Sequence, residues 1–330
     1  MKYKSIVVTQ RGGPETVRIV ENELRLPRPQ EARVRILAAP VCQDDVAARV
    51  GNRPFRKKPP FVPGYSCIGD VDAIGEKVTG INVGDRVAAL TQFGSHAQFI
   101  YVDGNALVHV PESLKLDEAA ALTLNYLVAY QVLHRVARVK AGDQVLIIGA
   151  SGGVGTAFLQ LGKVAGLKMY GLASAAKHAE LVAHGAVPID YHTQDFVEII
   201  KQDVPQGLNF VFNGMGEEYF ARGLAVLQPG GMLVTYGAPQ SFAHFLLLAA
   251  KLILYNLLPN GKTIKGYGTH RLGTELFKED WRVLYSLLVQ GRIKPIIAGR
   301  FPLMGAADAY RLLENGTVTG NLVLLTPELL

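Results

Sequence analysis

Four glycines fall within the seven residues Gly149-Ala-Ser-Gly-Gly-Val-Gly155, directly after the apolar run Val145-Leu-Ile-Ile148. The chemistry such a stretch can do is anion binding. Gly152 leaves room for a pyrophosphate to approach the backbone, and Gly155 lets a helix pack close to a strand. Ser151, Gly152, Gly153, Val154 and Gly155 are therefore the candidate phosphate contacts. They would sit at a helix N-terminus, where free N–H groups and the positive dipole end favour an anion. Ala150 stands where a dinucleotide fingerprint has its first glycine. A glycine turn that holds no ligand is the alternative.

That role needs a strand before the glycines and a helix after them. Val145–Ile148 is unbroken and apolar, and Thr156 to about Ala165 is amphipathic. From Gln144 onward the pattern alternates, with strands expected near 145–149, 168–172, 187–190, 209–213 and 231–236. Helices are expected between them near 154–165, 176–184, 194–202 and 217–227. Five strands in βα alternation imply a doubly wound parallel sheet in an α/β fold. The first 110 residues instead read as short strands broken by glycine and proline, a mostly β, barrel-like unit. One long helix, from Asp117 to about Arg138, links the two. Beyond Gly261 come another strand (262–268), a helix at about 275–290 and the strand 321–325, a tail expected to return to the N-terminal unit. The expected division is 1–118 with 262–330 for the β unit, and 119–261 for the dinucleotide-binding unit.

A chain of 330 residues can bury two cores of ordinary size. Its two cysteines, Cys42 and Cys67, support neither a disulfide framework nor a four-cysteine zinc lobe. A reducing compartment fits, and with no signal peptide at the start a cytoplasmic location is expected. The net charge is +6, and the densest basic cluster is Arg53-Pro-Phe-Arg-Lys-Lys58. It reads as a solvated loop or as a contact for an anionic ligand; without a reader motif, nucleic acid is not expected as a partner. Residues 242–258 are strongly apolar but short for a bilayer, with Lys251 near their centre. They are expected to form a buried or interface helix, lining a substrate cleft or a dimer interface, and no transmembrane span.

Several motifs in this order resemble the medium-chain dehydrogenase/reductase superfamily: Pro63-Gly64, Gly69-x-Val71-x-x-Ile74-Gly75, Val83-Gly-Asp-Arg-Val87, the 149–155 loop, Gly185-Ala-x-x-x-Ile189-Asp-Tyr191 and Gln228-Pro-Gly-Gly231. Within it the chain is most similar to the zinc-independent quinone oxidoreductase branch. That resemblance implies a GroES-like mostly β catalytic domain, a Rossmann domain, hydride transfer from NADPH to a small lipophilic quinone or carbonyl, and a homodimer. Zinc-dependent members carry Cys-His-x-Asp where this chain has Cys42-Gln-Asp-Asp45, and Gly-His-Glu where it has Gly64-Tyr65-Ser66. Only Cys42 remains at a ligand position, so no metal is expected.

No acid follows the second strand of the Rossmann pattern to hold a ribose 2′-hydroxyl. Ser174 and Lys177 stand there instead, and the resemblance adds Tyr191 as a 2′-phosphate contact, so NADPH is the expected cofactor. A solvated helical turn is the alternative for Lys177. Asn213-Gly214 and Tyr236-Gly237 end the fourth and fifth strands, where such a fold places the nicotinamide ribose; they also suit turns. Val128 stands where relatives carry a threonine, and the proton-donating tyrosine of enoyl reductases has no counterpart at about Arg53. Tyr65, Asp45 and Gln43 are the candidate catalytic groups, with Cys42 as a possible nucleophile and water as the alternative proton source. An enoyl-thioester reductase, a non-catalytic NADPH-binding protein and a zinc alcohol dehydrogenase are the competing functions.

Overall fold

The alternating sequence at the N-terminus makes an antiparallel hairpin of β1 (Lys2–Val8) and β2 (Val17–Glu23). The computed structural model describes residues 1–51, 57–237, 242–269 and 273–330. Its central β strand, β3 (Glu31–Val41), is buried at alternate positions up to Arg35 and continuously from Ile36. The continuous part is where strands and helices cover both of its faces. Helix α1 (Gln43–Val50) follows and stops at Gly51, whose φ of 87° is the left-handed conformation that ends helices. Strands β4 (Ser66–Ile74), β5 (Arg86–Leu90), β6 (Phe99–Asp103) and β7 (Val108–His109) complete the first pass through this sheet.

The linking helix is not uniform. Helix α2 (Leu116–Ala121) widens into π-helical turns at Leu122–Tyr126, returns to α3 (Leu127–Tyr130), and widens again over Gln131–Ala137. The Thr123 hydroxyl donates to the Ala120 carbonyl at 2.7 Å, a side-chain bond that competes with the regular ladder at the first widening. Its periodicity alone could not show that.

The alternating region forms a six-stranded parallel sheet in the order β10-β9-β8-β11-β12-β13. In chain order these are β8 (Gln144–Ile148), α4 (Gly153–Val164), β9 (Lys168–Ala173), α5 (His178–Ala183), β10 (Ala186–Asp190), α6 (Phe196–Asp203), β11 (Leu208–Asn213), α7 (Phe220–Ala225), β12 (Leu227–Thr235), α8 (Phe242–Leu257) and β13 (Thr263–Gly266). Strand β13 lies beyond the expected boundary at 261, on the dinucleotide-binding side. Helices α6, α7 and α8 share one apolar core with this sheet, through Ile200, Phe220, Leu224, Leu248 and Leu252.

The tail consists of α9 (Thr274–Val289), β14 (Ile297–Pro302), α10 (Ala306–Glu314) and β15 (Asn321–Leu325). Strand β15 pairs antiparallel with β3, from Leu322 opposite Val41 to Leu325 opposite Ala38. So the tail returns to the β unit, which comprises Met1–Leu127 and Thr274–Leu330; the other unit is Val128–Gly273. In the β unit, Arg49 is fully buried, with its guanidinium 2.6 Å from Glu314 and above the Tyr310 ring.

One close approach in the parallel-sheet unit is backbone against backbone. A methyl group at Gly155 would lie 2.2 Å from the Gly149 carbonyl oxygen and 2.5 Å from the Ala150 carbonyl carbon. Replacing Gly155 with Ala is expected to cost about 1–3 kcal/mol, as overpacking does. A urea unfolding midpoint that does not fall would show that helix and strand can separate.

Candidate functional site

Strand β8 ends in a turn at Gly149, whose φ is 84°. Ala150, at the position of the missing fingerprint glycine, is fully buried, and its N–H donates to the Leu172 carbonyl of β9. The methyl fits because its neighbour on β9 is Gly171, where a Cβ would lie 2.9 Å from the Ala150 methyl. Gly152 caps helix α4 and is exposed; a Cβ there would meet nothing nearer than 3.7 Å. Open space beside Gly152 and backbone contact at Gly155 are the two conditions of a phosphate cradle. The first N–H groups of α4, at Gly153, Val154 and Gly155, have no preceding turn to bond.

Because the strands are parallel, their following loops share the carboxyl edge of the sheet. The order reverses at β8, which lies between β9 and β11, and ligands of open α/β sheets bind at such a reversal. Ser174 and Lys177 follow β9; the Lys177 N–H donates to the Ser174 carbonyl, and desolvation lowers the Lys177 ammonium pKa. An anion beside that ammonium would offset the desolvation. Strand β10 ends at Asp190, whose carboxylate accepts from the His192 N–H and the Thr193 hydroxyl. The backbone bond from His192 is the larger cause holding this carboxyl below its usual range. The turn leaves Tyr191 on the surface, about half exposed.

Asn213, after β11, is fully buried and spends its side chain on the turn: Nδ2 donates to the Gly216 carbonyl at 2.6 Å, and Oδ1 accepts from the Met215 N–H. Turn chemistry thus accounts for its side chain. Gly214 is small because Tyr236 packs over it, with ring atoms 2.7–2.8 Å from where a Cβ would stand. Gly237, with φ 107°, is exposed and open around its missing side chain.

In the β unit, the second group of candidates gathers at the start of α1. The Asp45 carboxylate is 2% exposed and accepts three bonds: from the Cys42 N–H (3.0 Å) and thiol (3.1 Å) at Oδ2, and from the Gly64 N–H (3.0 Å) at Oδ1. Asp45 therefore fastens a helix start to the Gly64 turn. Burial first, then the Asp45 and Asp44 carboxylates, push the Cys42 thiol well above its ordinary pKa, which is the opposite of an activated nucleophile. Tyr65 is buried and Gln43 is exposed. His96 is buried nearby, 2.8 Å from the Tyr310 hydroxyl at Nδ1 and 3.3 Å from the Pro40 carbonyl, which accepts from Nε2. Ser66 donates to Thr123 at 2.7 Å, since the Thr123 proton is committed to Ala120. Asn125, also buried, donates to Asn321.

Zinc requires deprotonated sulfur and two further protein donors. Here the sulfur donates its proton to Asp45, and Tyr65 and Ser66 replace the other expected ligands. These donors do not fit a zinc site, and among the described residues no group of three His, Cys, Asp or Glu side chains is arranged to hold a metal. Arg53, aligned with the enoyl-reductase tyrosine, lies outside the described residues, as does the cluster from Arg53 to Arg56. Of the rest, Lys57 sits 4.9 Å over the Phe93 ring. Sequence reasoning missed His96, Tyr310 and Thr123, whose partners are distant in the chain. Helix α8 was expected to be buried or covered. Leu248, Leu252 and Tyr255 pack against the core and Lys251 pairs with Glu217, while Leu246, Leu247, Ile253, Leu254 and Leu257 are each more than half exposed. Among the described residues no helix is long and apolar enough to cross a membrane.

A family model for zinc-binding dehydrogenases matches residues 183–324, and one for the alcohol dehydrogenase GroES-like domain matches residues 28–112. The chain is 32% identical over 340 residues to a synaptic vesicle membrane protein VAT-1 homolog of Danio rerio, covering 98% of this chain and 70% of the relative. It is 28% identical over 331 residues to a quinone oxidoreductase of Mus musculus, covering 98% and 97%. The structure of an Escherichia coli quinone oxidoreductase complexed with NADPH matches with a TM-score of 0.87 at 26% identity, covering 98% of this chain and 99% of that one.

Two outcomes follow from the α1 cluster. Asp45→Ala leaves the Gly64 and Cys42 N–H groups buried without their acceptor and should cost at least about 2 kcal/mol in chemical denaturation. Cys42 and Cys67, the latter pushed up to about 12 by burial, should react with a thiol reagent only as fast as the protein opens. Rapid native-state labelling at pH 8 would contradict that geometry.

Proposed function

Because the chain belongs to the medium-chain dehydrogenase/reductase superfamily, in its zinc-independent quinone oxidoreductase-like branch, we propose that it is an NADPH-dependent reductase acting on a quinone or an α,β-unsaturated carbonyl. The observation that carries this reading is the open glycine turn at the strand-order reversal, with Lys177 and no acid after the neighbouring strand. When bound, NADPH supplies the hydride. The N–H groups of Gly153, Val154 and Gly155, with Ser151 and the open Gly152 beside them, would hold the pyrophosphate at the α4 dipole. Ser174, Lys177 and Tyr191 hold the 2′-phosphate. Gly237 would let the backbone approach the nicotinamide ribose, with Asn213, Gly214 and Tyr236 shaping the turns beside it.

Tyr65 and Gln43 are the groups we assign to the acceptor's oxygen. Asp45 and Cys42 support them by fixing the start of α1. Hydride addition leaves a hydroquinone anion or an enolate, which takes its proton from water; no buried acid is needed at neutral pH. The two buried free thiols support a reducing compartment, and the proposal includes a homodimer in the cytoplasm. A second reading, NADPH binding without turnover, draws support from one observation: the Asp45 carboxylate and Cys42 thiol are bonded to each other.

Steady-state oxidation of NADPH with ortho- and para-quinones, an enone and an enoyl thioester tests the proposal. Chelator-insensitive turnover with NADPH, and little with NADH, is expected. Tight NADPH binding with no turnover on any acceptor would replace it with the second reading. Lys177→Ala should raise the KM for NADPH about 10- to 100-fold, the worth of a charge-assisted bond, and leave that for NADH nearly unchanged. Equal effects on the two cofactors would remove Lys177 from the phosphate site.

A further inference from the structure

The edge that Ser174, Lys177 and Tyr191 share also holds His178 and His192. Asp190 lies opposite Ala173 in the register of β10 with β9, so the residues that follow the two strands emerge side by side. His178, the first residue of α5, donates from Nε2 to the Ala173 carbonyl at 3.1 Å. A carbonyl only accepts, so the neutral ring carries its proton at Nε2, and a second proton enters at Nδ1. His192 is exposed; its backbone N–H donates to Asp190 Oδ1 at 3.1 Å, and its ring centre lies 4.1 Å from that of Tyr191. After the backbone bond from His192 and the Thr193 hydroxyl, the charges of His192 and His178 also depress the Asp190 carboxyl. Both rings are therefore within electrostatic reach of the same carboxylate.

One ammonium does not balance a phosphate monoester at this edge. Such a group brings about −1.5 to −2 charges near neutral pH, and Asp190, whose carboxyl titrates below its usual range, adds another. Lys177 supplies one positive charge, which desolvation already makes costly. Other charged neighbours have partners of their own. Glu180 faces His184 at 2.9 Å further along α5. Arg222, which with Glu218 and Tyr219 follows β11 on the Tyr191 side, pairs with Asp195 at 3.0 Å. The imidazoles of His178 and His192 can add positive charge here, and histidine gains its charge between about pH 8 and about pH 5.

We propose that His178 and His192 are specificity-determining residues whose protonation strengthens the choice of the 2′-phosphorylated cofactor. The inference rests on the assignment of the 2′-phosphate to Ser174, Lys177 and Tyr191. A cofactor with a free 2′-hydroxyl gains nothing from the added charge, so discrimination between the two dinucleotides is sharper in acid than in alkali. Protonation also offsets Asp190, so the phosphate meets a less negative edge.

Calorimetric titration of the full-length protein with NADP⁺ and NAD⁺, which carry the same adenosine ends as the reduced cofactors, tests this without requiring turnover. At about pH 6 the double variant His178→Gln, His192→Gln should bind NADP⁺ about tenfold more weakly than the parent protein, and at about pH 8.5 less than about twofold more weakly. NAD⁺ affinity should change at neither pH. Glutamine keeps an amide donor for the Ala173 carbonyl, and the ratio of variant to parent cancels the titration of the phosphate itself. His192→Lys, charged at both pH values, should tighten NADP⁺ about threefold at about pH 8.5. An equal loss at the two pH values, no loss at either, or a lysine without effect would overturn the proposal; if NADP⁺ is still preferred over NAD⁺, the cofactor assignment survives. No preference for NADP⁺ in the parent protein at either pH would overturn both.

Discussion

Helix α4 begins where it does because position 155 carries only a hydrogen. That contact brings the helix start against the Gly149 and Ala150 carbonyls and so aims the helix dipole across the end of β8. The neighbouring loops gain their meaning from that origin. Strands β9 and β11 flank β8 in parallel register, so Lys177, Asp190 and Asn213 all end at the same edge. Ala150 belongs to the same constraint, since its methyl is tolerated only because β9 offers Gly171 beside it. Gly171 on the adjacent strand leaves the room that the Ala150 methyl takes.

Local features were legible in the sequence. The apolar run, the glycine cluster and the following amphipathic stretch each lie within one strand–turn–helix unit, and the structure puts β8 and α4 within a residue or so of the expected bounds. The strand expected at 321–325 pairs with β3, whereas the strand expected at 262–268 joins the parallel sheet. What could not be read were bonds between residues far apart: Asp45 to Gly64, Ser66 to Thr123, His96 to Tyr310. A carboxylate two residues after Gln43 looks like an acid–base group until its acceptor sites are seen to be filled by backbone amides. Helix α8 shows a different limit. Apolar content alone cannot say which side of a helix meets a core, and here several leucines face outward.

The two units divide the work unequally. The parallel-sheet unit offers open backbone and a partly desolvated lysine, which suit a phosphate-rich ligand. The β unit offers polar groups that are mostly spent on one another. Such an arrangement favours chemistry in which the bound cofactor contributes the reactive bond and the protein contributes orientation. Proton supply can then be left to solvent, provided that the product is a strong enough base.

The Asp45 knot bears on how such a fold could change its chemistry. Restoring histidine at position 43 and at position 65 would supply nitrogen donors, but not a thiolate. The Cys42 proton is held by an oxygen that also receives the Cys42 N–H, and its twin oxygen holds the Gly64 turn. A cation arriving at Cys42 would have to compete for a carboxylate on which the helix start depends. Gain of a Lewis-acid centre is thus coupled to local unfolding, and the barrier between the two kinds of enzyme lies in the scaffold as well as in the ligand set.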